Sequence, residues 1–388
     1  MKLPDHVARQ SRTLLPLIFA CLYAGTAHAD DGLLMHGFAD VGSAWSGSDD
    51  PNRQRGFNVG NIDFYLTPKF GDVRSLVELV FEVDGAGGIA TDLERVQVGL
   101  PTGDRSVLWI GRFHTPYGHW HTGFHHGAQL QTSINRPRFL DFEDKGGMLP
   151  SHAVGVWWNG NQPNGDGRIH YNAYLANGDQ IATAPDAKTL SFNAAGDENN
   201  GKLIGGSMAY ELNSGLEIGV HAYHDTVNTY LNGDISTLIN RNQVGMAGAF
   251  LDYDDDTWEI MAEWYHFANK TEKLAASAPG SEGSHGSDLW FAQTGYRFNN
   301  WLGFARVEQA RLDANDAYFN SMDSGQPYQR AALGLRYNWN LKTALKMELT
   351  HTREAPNDQL DTTSGVGSVT GGKKINYTRL QLQAAISF

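Results

Sequence analysis

Residues 380–388 read Leu380-Gln381-Leu382-Gln383-Ala384-Ala385-Ile386-Ser387-Phe388, a segment in which apolar and polar side chains alternate up to a final aromatic residue. In a β-strand, successive side chains point to opposite faces. One face therefore carries Leu380, Leu382, Ala384, Ile386 and Phe388, and the other carries Gln381, Gln383 and Ser387. Such a strand separates hydrocarbon from water, which predicts a strand of a transmembrane β-barrel.

The other end of the chain predicts export. Residues 1–12 carry Lys2, Arg9 and Arg12, residues 13–25 are mostly apolar, and Ala27-His28-Ala29 has the small-x-small pattern of a cleavage site. Because these features are typical of a secretory signal peptide, we expect cleavage near Ala29, with residues 1–29 as the signal peptide and 30–388 as the barrel. Cys21 is the single cysteine and follows bulky Phe19, a context that disfavours lipid attachment. The exported chain therefore offers no thiol chemistry.

Composition favours a barrel over a helical membrane protein. After residue 29 no run approaches the roughly 18–20 consecutive apolar residues of a spanning helix, although apolar residues make up 41% of the chain. The 44 Gly, 15 Tyr, 18 Phe and 10 Trp suit tight turns and aromatic belts. Net charge is −13, and the leader contributes +2, so the exported chain carries −15. An acidic chain of this kind is not expected to bind nucleic acid.

Period-two alternation predicts sixteen strands. They cover residues 33–46, 57–67, 73–83, 92–100, 105–113, 152–160, 167–176, 201–212, 215–224, 243–253, 257–268, 288–298, 301–311, 328–339, 342–353 and 374–388. Segments 105–113 and 243–253 are the most weakly patterned, which leaves the count open by one hairpin.

Two kinds of connection alternate along the chain. Short turns rich in Asn, Gly, Asp and Pro occur at 68–72, 101–104, 159–166, 213–214, 254–256, 299–300 and 340. Longer polar segments occur at 47–56, 84–91, 114–151, 177–200, 225–242, 269–287, 312–327 and 354–373. This asymmetry predicts an all-β, antiparallel barrel with short periplasmic turns and long outer loops. Aromatic residues near the short turns predict an interfacial belt; they are Trp258, Phe298, Trp301, Tyr337, Trp339 and Phe388.

A barrel of about sixteen strands encloses a lumen that its own wall cannot fill. Charged residues on the strands should face that lumen, because Lys or Arg facing lipid at mid-bilayer costs about 2–4 kcal/mol. The residues expected there are Arg74, Glu78, Arg95, Arg306, Glu308, Arg330, Arg336, Lys346, Glu348 and Arg379. Two roles remain open for them. They either solvate the lumen and pair across strands, or form a ladder of opposed charges that filters solutes.

Three segments resemble a known family. Trp109-Ile110-Gly111-Arg112-Phe113-His114-Thr115-Pro116-Tyr117-Gly118, then Arg136-Pro137-Arg138-Phe139-Leu140-Asp141-Phe142-Glu143-Asp144, then Pro150 with Val154-Gly155-Val156, resemble porins related to the phosphate-selective O and P type. The resemblance implies a homotrimeric channel in the lipid and lipopolysaccharide of a Gram-negative outer membrane, without a cofactor. It also implies that segment 114–151, the third loop, folds into the lumen and forms the constriction. The barrel-assembly machinery is then expected to recognise the terminal strand, which ends at Phe388.

The sequence departs from that family at the constriction. The loop mixes Arg136, Arg138 and Lys145 with Asp141, Glu143 and Asp144, so phosphate selectivity is not expected. The residues expected at the constriction are Arg112, His114, Arg136, Arg138, Asp141, Glu143, Asp144 and Lys145. The arginines are candidate anion contacts. The acidic residues either oppose them or hold the loop to the wall.

Histidines are concentrated in the same part of the chain. Six of them, His114, His119, His121, His125, His126 and His152, lie between residues 114 and 152. His119, His121, His125 and His126 have the density of a transition-metal site. Two alternatives are polar packing in the loop and a pH gate, because histidine alone titrates near pH 6.5.

The leading functional interpretation is a porin for passive diffusion of ions and small hydrophilic solutes, with an anion preference at the constriction. The first alternative is a substrate-specific or metal-binding channel that uses the histidine-rich loop. The second is an outer-membrane hydrolase with a Ser and a His on the wall. No strand places Ser, His and a carboxylate in an evident constellation, so an enzyme is not expected.

Overall fold

A computed structural model describes residues 32–50, 53, 55–68, 70–83, 88–124, 127–141, 147–183, 188–190, 201–231, 236–276, 278–322, 324–355 and 374–388. The predicted signal peptide lies outside the described residues. The strands are β1 (Leu33–Ser46), β2 (Arg55–Pro68), β3 (Arg74–Val83), β4 (Ile89–Gly103), β5 (Ser106–His114), β6 (His152–Asn164), β7 (Gly167–Asn177), β8 (Gln180–Thr183), β9 (Lys188–Leu190), β10 (Lys202–Leu212), β11 (Leu216–Leu231), β12 (Leu238–Asp254), β13 (Trp258–Lys273), β14 (Gly283–Phe298), β15 (Trp301–Arg311), β16 (Tyr328–Asn340), β17 (Thr343–Glu354) and β18 (Ile375–Ser387).

Sixteen of these strands form one closed antiparallel barrel. Each strand pairs with the next along the chain, β7 pairs with β10, and β18 closes the circle on β1 from Phe38↔Ser387 to Ser46↔Arg379. Closure leaves the barrel sheet without an edge, so its backbone groups pair within the wall. The predicted all-β barrel of sixteen strands is confirmed.

The register of β18 separates two faces as the alternation predicts. On the outside of the barrel, the side chain of Leu382 is 42% exposed, and those of Leu380 and Ile386 are exposed to a similar extent. On the inside, Gln383 donates to Asp40 (2.9 Å) and Gln381 accepts from Asn135 (2.5 Å). An apolar exterior and a polar interior are the pattern of a barrel in lipid. Within the described ranges, no helix has both the length and the apolar character needed to cross a membrane.

The two ends of the barrel have different connections. Short turns such as 213–215 join strands at one end, and Gly215 (φ 86°) is required there because a Cβ would lie 2.2 Å from the Asp254 carbonyl oxygen. Exposed aromatic side chains lie beside these turns and contact one another, with ring centroids 4.9 Å apart for Trp258 and Tyr296 and 4.6 Å apart for Trp301 and Tyr337. The long loops lie at the other end.

The strands next to the fourth long loop differ from the prediction. Segment 177–200 was expected to be a loop, but it contains β8 and β9, and β8 pairs in parallel with the end of β11. β11 continues to Leu231, beyond the predicted end at 224. Residues 227–230 are all buried, because β8 covers this end of the strand. Burial on both faces removes the period-two signal, so the sequence did not reveal this extension.

Aromatic side chains fill part of the interior. They come from the third loop (Tyr117, Phe139), from β13 and β14 (Tyr265, Phe267, Phe291), and from the short helix Ala317–Asn320 in the loop between β15 and β16 (Tyr318, Phe319). Phe139 lies 5.3 Å from Tyr265, and Phe267 lies 5.2 Å from Phe319, measured between ring centroids. The third loop is therefore packed inside the barrel and does not extend from it.

Candidate pore constriction

The third loop was expected at 114–151, but His114 belongs to β5, so the loop covers residues 115–151. Its first anchor is on β13. The carboxylate of Glu263 accepts hydrogen bonds from the backbone N–H groups of His119 (3.0 Å) and Trp120 (2.5 Å), where the short helix Trp120–Gly123 begins. Gly118 precedes this contact with φ 61°, and a Cβ there would lie 2.4 Å from a Glu263 oxygen. Glycine is therefore needed for the backbone to approach the carboxylate closely.

The loop then crosses to the other side of the barrel. The N–H of Gly127 lies 3.4 Å from the Asp63 carboxylate on β2, and Gln129 donates to the Leu341 carbonyl (3.1 Å) in the β16–β17 turn. Six barrel strands lie between β13 and β2 in one direction and eight in the other. Because these strands are almost opposite each other, His119 and Gly127 are held on nearly opposite sides of the lumen.

A second line of anchors comes from β17. The fully buried carboxylate of Glu348 accepts from the backbone N–H groups of Ile134 (2.6 Å) and Asn135 (3.1 Å) and from Nδ2 of Asn135 (2.7 Å). Lys346, two residues earlier, donates to the carbonyls of Ala128 and Ser133. Hydrogen bonds to ionised groups are the stronger kind, so this strand holds the loop firmly.

Two arginines bind the loop backbone from β15 and β16. Arg306, 1% exposed, donates to Ser133 Oγ (2.9 Å) and to the Asn135 carbonyl (2.9 Å). Arg336 donates to the carbonyls of Leu130 (3.2 Å) and Gln131 (2.7 Å). These two side chains provide hydrogen-bond donors for these four acceptors of the loop.

Other predicted lumen residues are engaged in ion pairs. Glu308 lies between Arg306 (3.5 Å) and Arg330 (3.6 Å). Arg95 pairs with Glu78, and Arg379 pairs with Asp50 (2.7 Å). Arg74 instead lines a cavity at the end of the barrel that carries the short turns. These groups face inward, but many lie beneath the loop, where they pair and anchor.

The predicted constriction residues have different environments. The guanidinium of Arg138 makes a bidentate contact with the Glu354 carboxylate (2.7 and 2.9 Å). The backbone N–H of Arg138 donates to Glu308 (2.6 Å). Burial alone would lower the pKa of Arg138, but the Glu354 carboxylate outweighs it and raises that pKa. Arg136 Nε lies 4.0 Å from Asp141. Glu143, Asp144 and Lys145 lie outside the described residues.

Arg112 and His114, the two constriction candidates on β5, contact the neighbouring wall. Arg112 lies opposite Val96 and Val154 in the sheet and donates from Nε to the Glu94 carbonyl (2.9 Å), which holds the guanidinium against β4. His114 Nε2 lies 3.6 Å from the Glu78 carboxylate.

Three cavities with charged residues in their linings lie along the inner wall, and the first and third also contact the third loop. The first, about 270 Å³, is lined by Arg95, His114, His119, His170 and Glu217 among others. The second, about 320 Å³, shares His170 and extends to Arg74 and Arg105, and the third, about 260 Å³, shares His119 and extends to Asp252, Glu259 and Arg336. Because the cavities share residues, they lie side by side from β3 to the β16 turn.

His119 separates the first cavity from the third. Its Nδ1 lies 2.9 Å from Glu217, and its Nε2 lies 3.7 Å from Asp252. Burial would lower the pKa of His119, but the hydrogen bond to Glu217 and the carboxylates of Asp252 and Glu263 outweigh burial, so the pKa is raised. The sequence singled out His119 as a metal ligand and did not reveal these acidic partners, which come from β11, β12 and β13.

The predicted metal group is divided in the structure. His121 is stacked on Tyr117 (4.5 Å between centroids), and its Nε2 lies 3.0 Å from the Ser151 carbonyl. It thus contacts different partners from His119, as expected for residues two apart on a helix. His125 and His126 lie outside the described residues.

Neither the protein-family models nor the curated proteins contain a match to this chain. Among solved structures, it is similar to the anion-selective porin from Comamonas acidovorans, with 15% identity and a TM-score of 0.58 over 92% of this chain and 100% of that one. It is also similar to the trimer form of in-vitro folded OmpT, an outer membrane protein of Vibrio cholerae, with 9% identity and a TM-score of 0.58 over 93% and 100%. At these identities the likeness defines the fold, a porin-type barrel of sixteen strands.

Proposed function

We propose that this chain forms a water-filled outer-membrane channel through which ions and small hydrophilic solutes diffuse passively. The observation that carries the proposal is a barrel with an apolar exterior, crossed inside by a loop that leaves cavities with charged linings between itself and the wall. A polar interior is expected where water and solutes pass, and an apolar exterior is expected where lipid packs.

The charges that line the cavities suggest weak ion selectivity. Among the described residues of the three cavities, Arg74, Arg95, Arg105, Arg297 and Arg336 are matched by Asp104, Glu217, Asp252, Asp254 and Glu259. The anion preference expected from Arg136 and Arg138 has less support, since Arg138 is bound to Glu354 and Arg136 lies near Asp141. We therefore assign the balance between anions and cations to the cavity lining and to the charge on His119.

We also propose that the channel is a homotrimer inserted by the barrel-assembly machinery. The Vibrio cholerae OmpT structure is a trimer form of that protein. Support from this chain is the terminal strand, whose outward residues end at Phe388 next to the closure of the barrel. Size measurement in detergent tests the oligomeric state independently of conduction.

Planar-bilayer recording tests the channel. Purified, refolded protein should give discrete ion-conducting steps, and a reversal potential near zero in a KCl gradient is expected from the balanced lining. Heat-denatured protein of the same preparation serves as the control. Folded barrels that insert without conducting would overturn the proposal, and a strongly anion-selective reversal potential that disappears in Arg136→Ala would overturn the assignment of selectivity to the cavity lining.

A further inference from the structure

Three neighbouring strands bring two histidines and a carboxylate together at the base of the third loop. His114, the last residue of β5, lies directly opposite His152, the first residue of β6. On β4, the pair Val96↔Arg112 places Glu94 level with His114. One potential ligand atom from each of the three side chains lies within 4.8 Å of the others.

An irregularity in β4 produces this arrangement. Glu78 on β3 pairs with Arg95, whereas Leu79 pairs with Leu93, so Glu94 is an extra residue in β4. Such a bulge redirects a side chain that regular alternation would place elsewhere. Leu93 and Val96 remain exposed on the outside while Glu94 is 1% exposed, and His114 and His152 are 8% and 3% exposed. The carboxylate is thus turned toward the histidines.

We propose that Glu94, His114 and His152 bind a divalent transition-metal ion of the zinc type. Two imidazole nitrogens and one carboxylate oxygen form a ligand set that zinc uses in proteins when it keeps a fourth position for another ligand. The His152 Nε2 to Glu94 Oε2 distance is 2.5 Å, and a bound ion would separate these atoms to the roughly 3.3 Å expected for ligands at about 2.0 Å from tetrahedral zinc. His114 offers a third ligand atom within 4.8 Å of the other two. This set differs from the four loop histidines that the sequence suggested.

The surroundings suit a bound cation with an exchangeable fourth ligand. The Glu78 carboxylate, 3.6 Å from His114 Nε2, can orient that ring as outer carboxylates do at metal centres. Glu78 and Glu94 are balanced by Arg95 and Arg112, so the ion adds positive charge that hydroxide or another small anion in the fourth position would offset. His114 lines the cavity of about 270 Å³, which gives an ion and a fourth ligand access from the lumen.

A metal ion here would join both ends of the third loop. His114 precedes the loop and His152 follows it, so their shared ion would connect β4, β5 and β6 where the loop begins and ends. Metal binding to the folded state alone stabilises that state. The proposal is independent of conduction, because binding can be measured on a barrel that passes no ions.

Calorimetric titration of the folded, leaderless protein in detergent with ZnCl₂ tests the site, with MgCl₂ as the comparison ion. We expect one zinc per chain, little response to magnesium, and at least about tenfold weaker zinc binding in His114→Ala, His152→Ala and Glu94→Gln. His170→Ala is the matched control, because His170 lines the same cavity beside Glu211 but lies outside the ligand set. This control should bind zinc as the unsubstituted protein does.

Absence of zinc binding at millimolar concentration would overturn the proposal, as would unchanged binding in the His114→Ala/His152→Ala double variant. If the substituted barrels do not fold, spectroscopy of the metal-loaded unsubstituted protein tests the proposal instead. Cobalt(II) should then show the intense visible bands of four-coordinate geometry, and X-ray absorption of the zinc complex should show two imidazoles. A six-coordinate cobalt spectrum or a zinc shell without imidazole would overturn the assignment.

Discussion

Glu348→Gln should loosen the third loop without removing a strand from the barrel. The carboxylate accepts three hydrogen bonds, two at Oε2 from the N–H groups of Ile134 and Asn135 and one at Oε1 from Asn135 Nδ2. Glutamine has the same shape but only one accepting oxygen. In either amide orientation, at least one buried donor of the loop faces an NH₂ group.

The size of the effect follows from these contacts. One unsatisfied buried donor costs about 1–3 kcal/mol, and the remaining bonds weaken because neutral acceptors bind about half as strongly as charged ones. Arg306, 4.0 Å away, also loses a compensating charge. A total of about 3 kcal/mol changes the ratio of undocked to docked loop by roughly 100-fold, at 1.4 kcal/mol per tenfold.

Single-channel recording measures this ratio as the fraction of time spent at higher or fluctuating conductance. Glu272→Gln is the control, because Glu272 is paired with Arg241 at a comparable distance (2.9 Å) on the exposed surface. Exposed pairs contribute about 1 kcal/mol or less, so the control should resemble the unsubstituted protein. Identical fluctuations in Glu348→Gln and the unsubstituted channel, with both barrels folded, would refute the view that Glu348 holds the loop in place.

Three further predictions concern the wall, the charge at His119 and the loop. Leu382→Arg should reduce the folded fraction on heat-modifiable gel mobility far more than Gln383→Arg, because Arg in lipid costs about 2–4 kcal/mol; equal yields would contradict the assigned faces. Since its pKa is raised, His119 should keep its charge at pH 6.5 and lose it as pH increases further. The ratio of anion to cation permeability should therefore fall with rising pH in the unsubstituted channel but not in His119→Gln, and a pH-independent ratio in the former would count against this role. Shortening residues 119–135 should raise conductance, and an unchanged value would place that segment outside the ion path.

The strands could be predicted closely because lipid outside and water inside impose the same alternation on every strand. β1 and β15 begin and end where the pattern predicts, at 33–46 and 301–311. The alternation of apolar and polar residues disappears where a strand does not have lipid on one face and water on the other. At the end of β11, a strand from another loop covers the wall, and residues on both faces are buried.

The site was less accessible to sequence reasoning because its contacts join distant parts of the chain. Arg138 was expected to contact anions, but its partner Glu354 is 216 residues away. Glu354 continues the alternation of Lys346 and Glu348, and it was missed because the predicted strand ended one residue earlier. The consecutive polar residues Glu94 and Arg95, between Leu93 and Val96, were a readable sign of the bulge that turns Glu94 toward the histidines.

The contacts divide the wall into two regions with different expected roles. β13, β15, β16 and β17 use their inward charges to hold the loop, as Glu263, Arg306, Arg336 and Glu348 do. The wall from β3 to β12 lines the first two cavities, and the third cavity extends from β12 to β16. Substitutions in the first region should therefore change how steadily the channel conducts, whereas charge changes in the second should alter which ions pass. The ladder of lumen charges visible in the sequence thus divides into residues that hold the loop and residues that face the cavities, and Arg336 belongs to both groups.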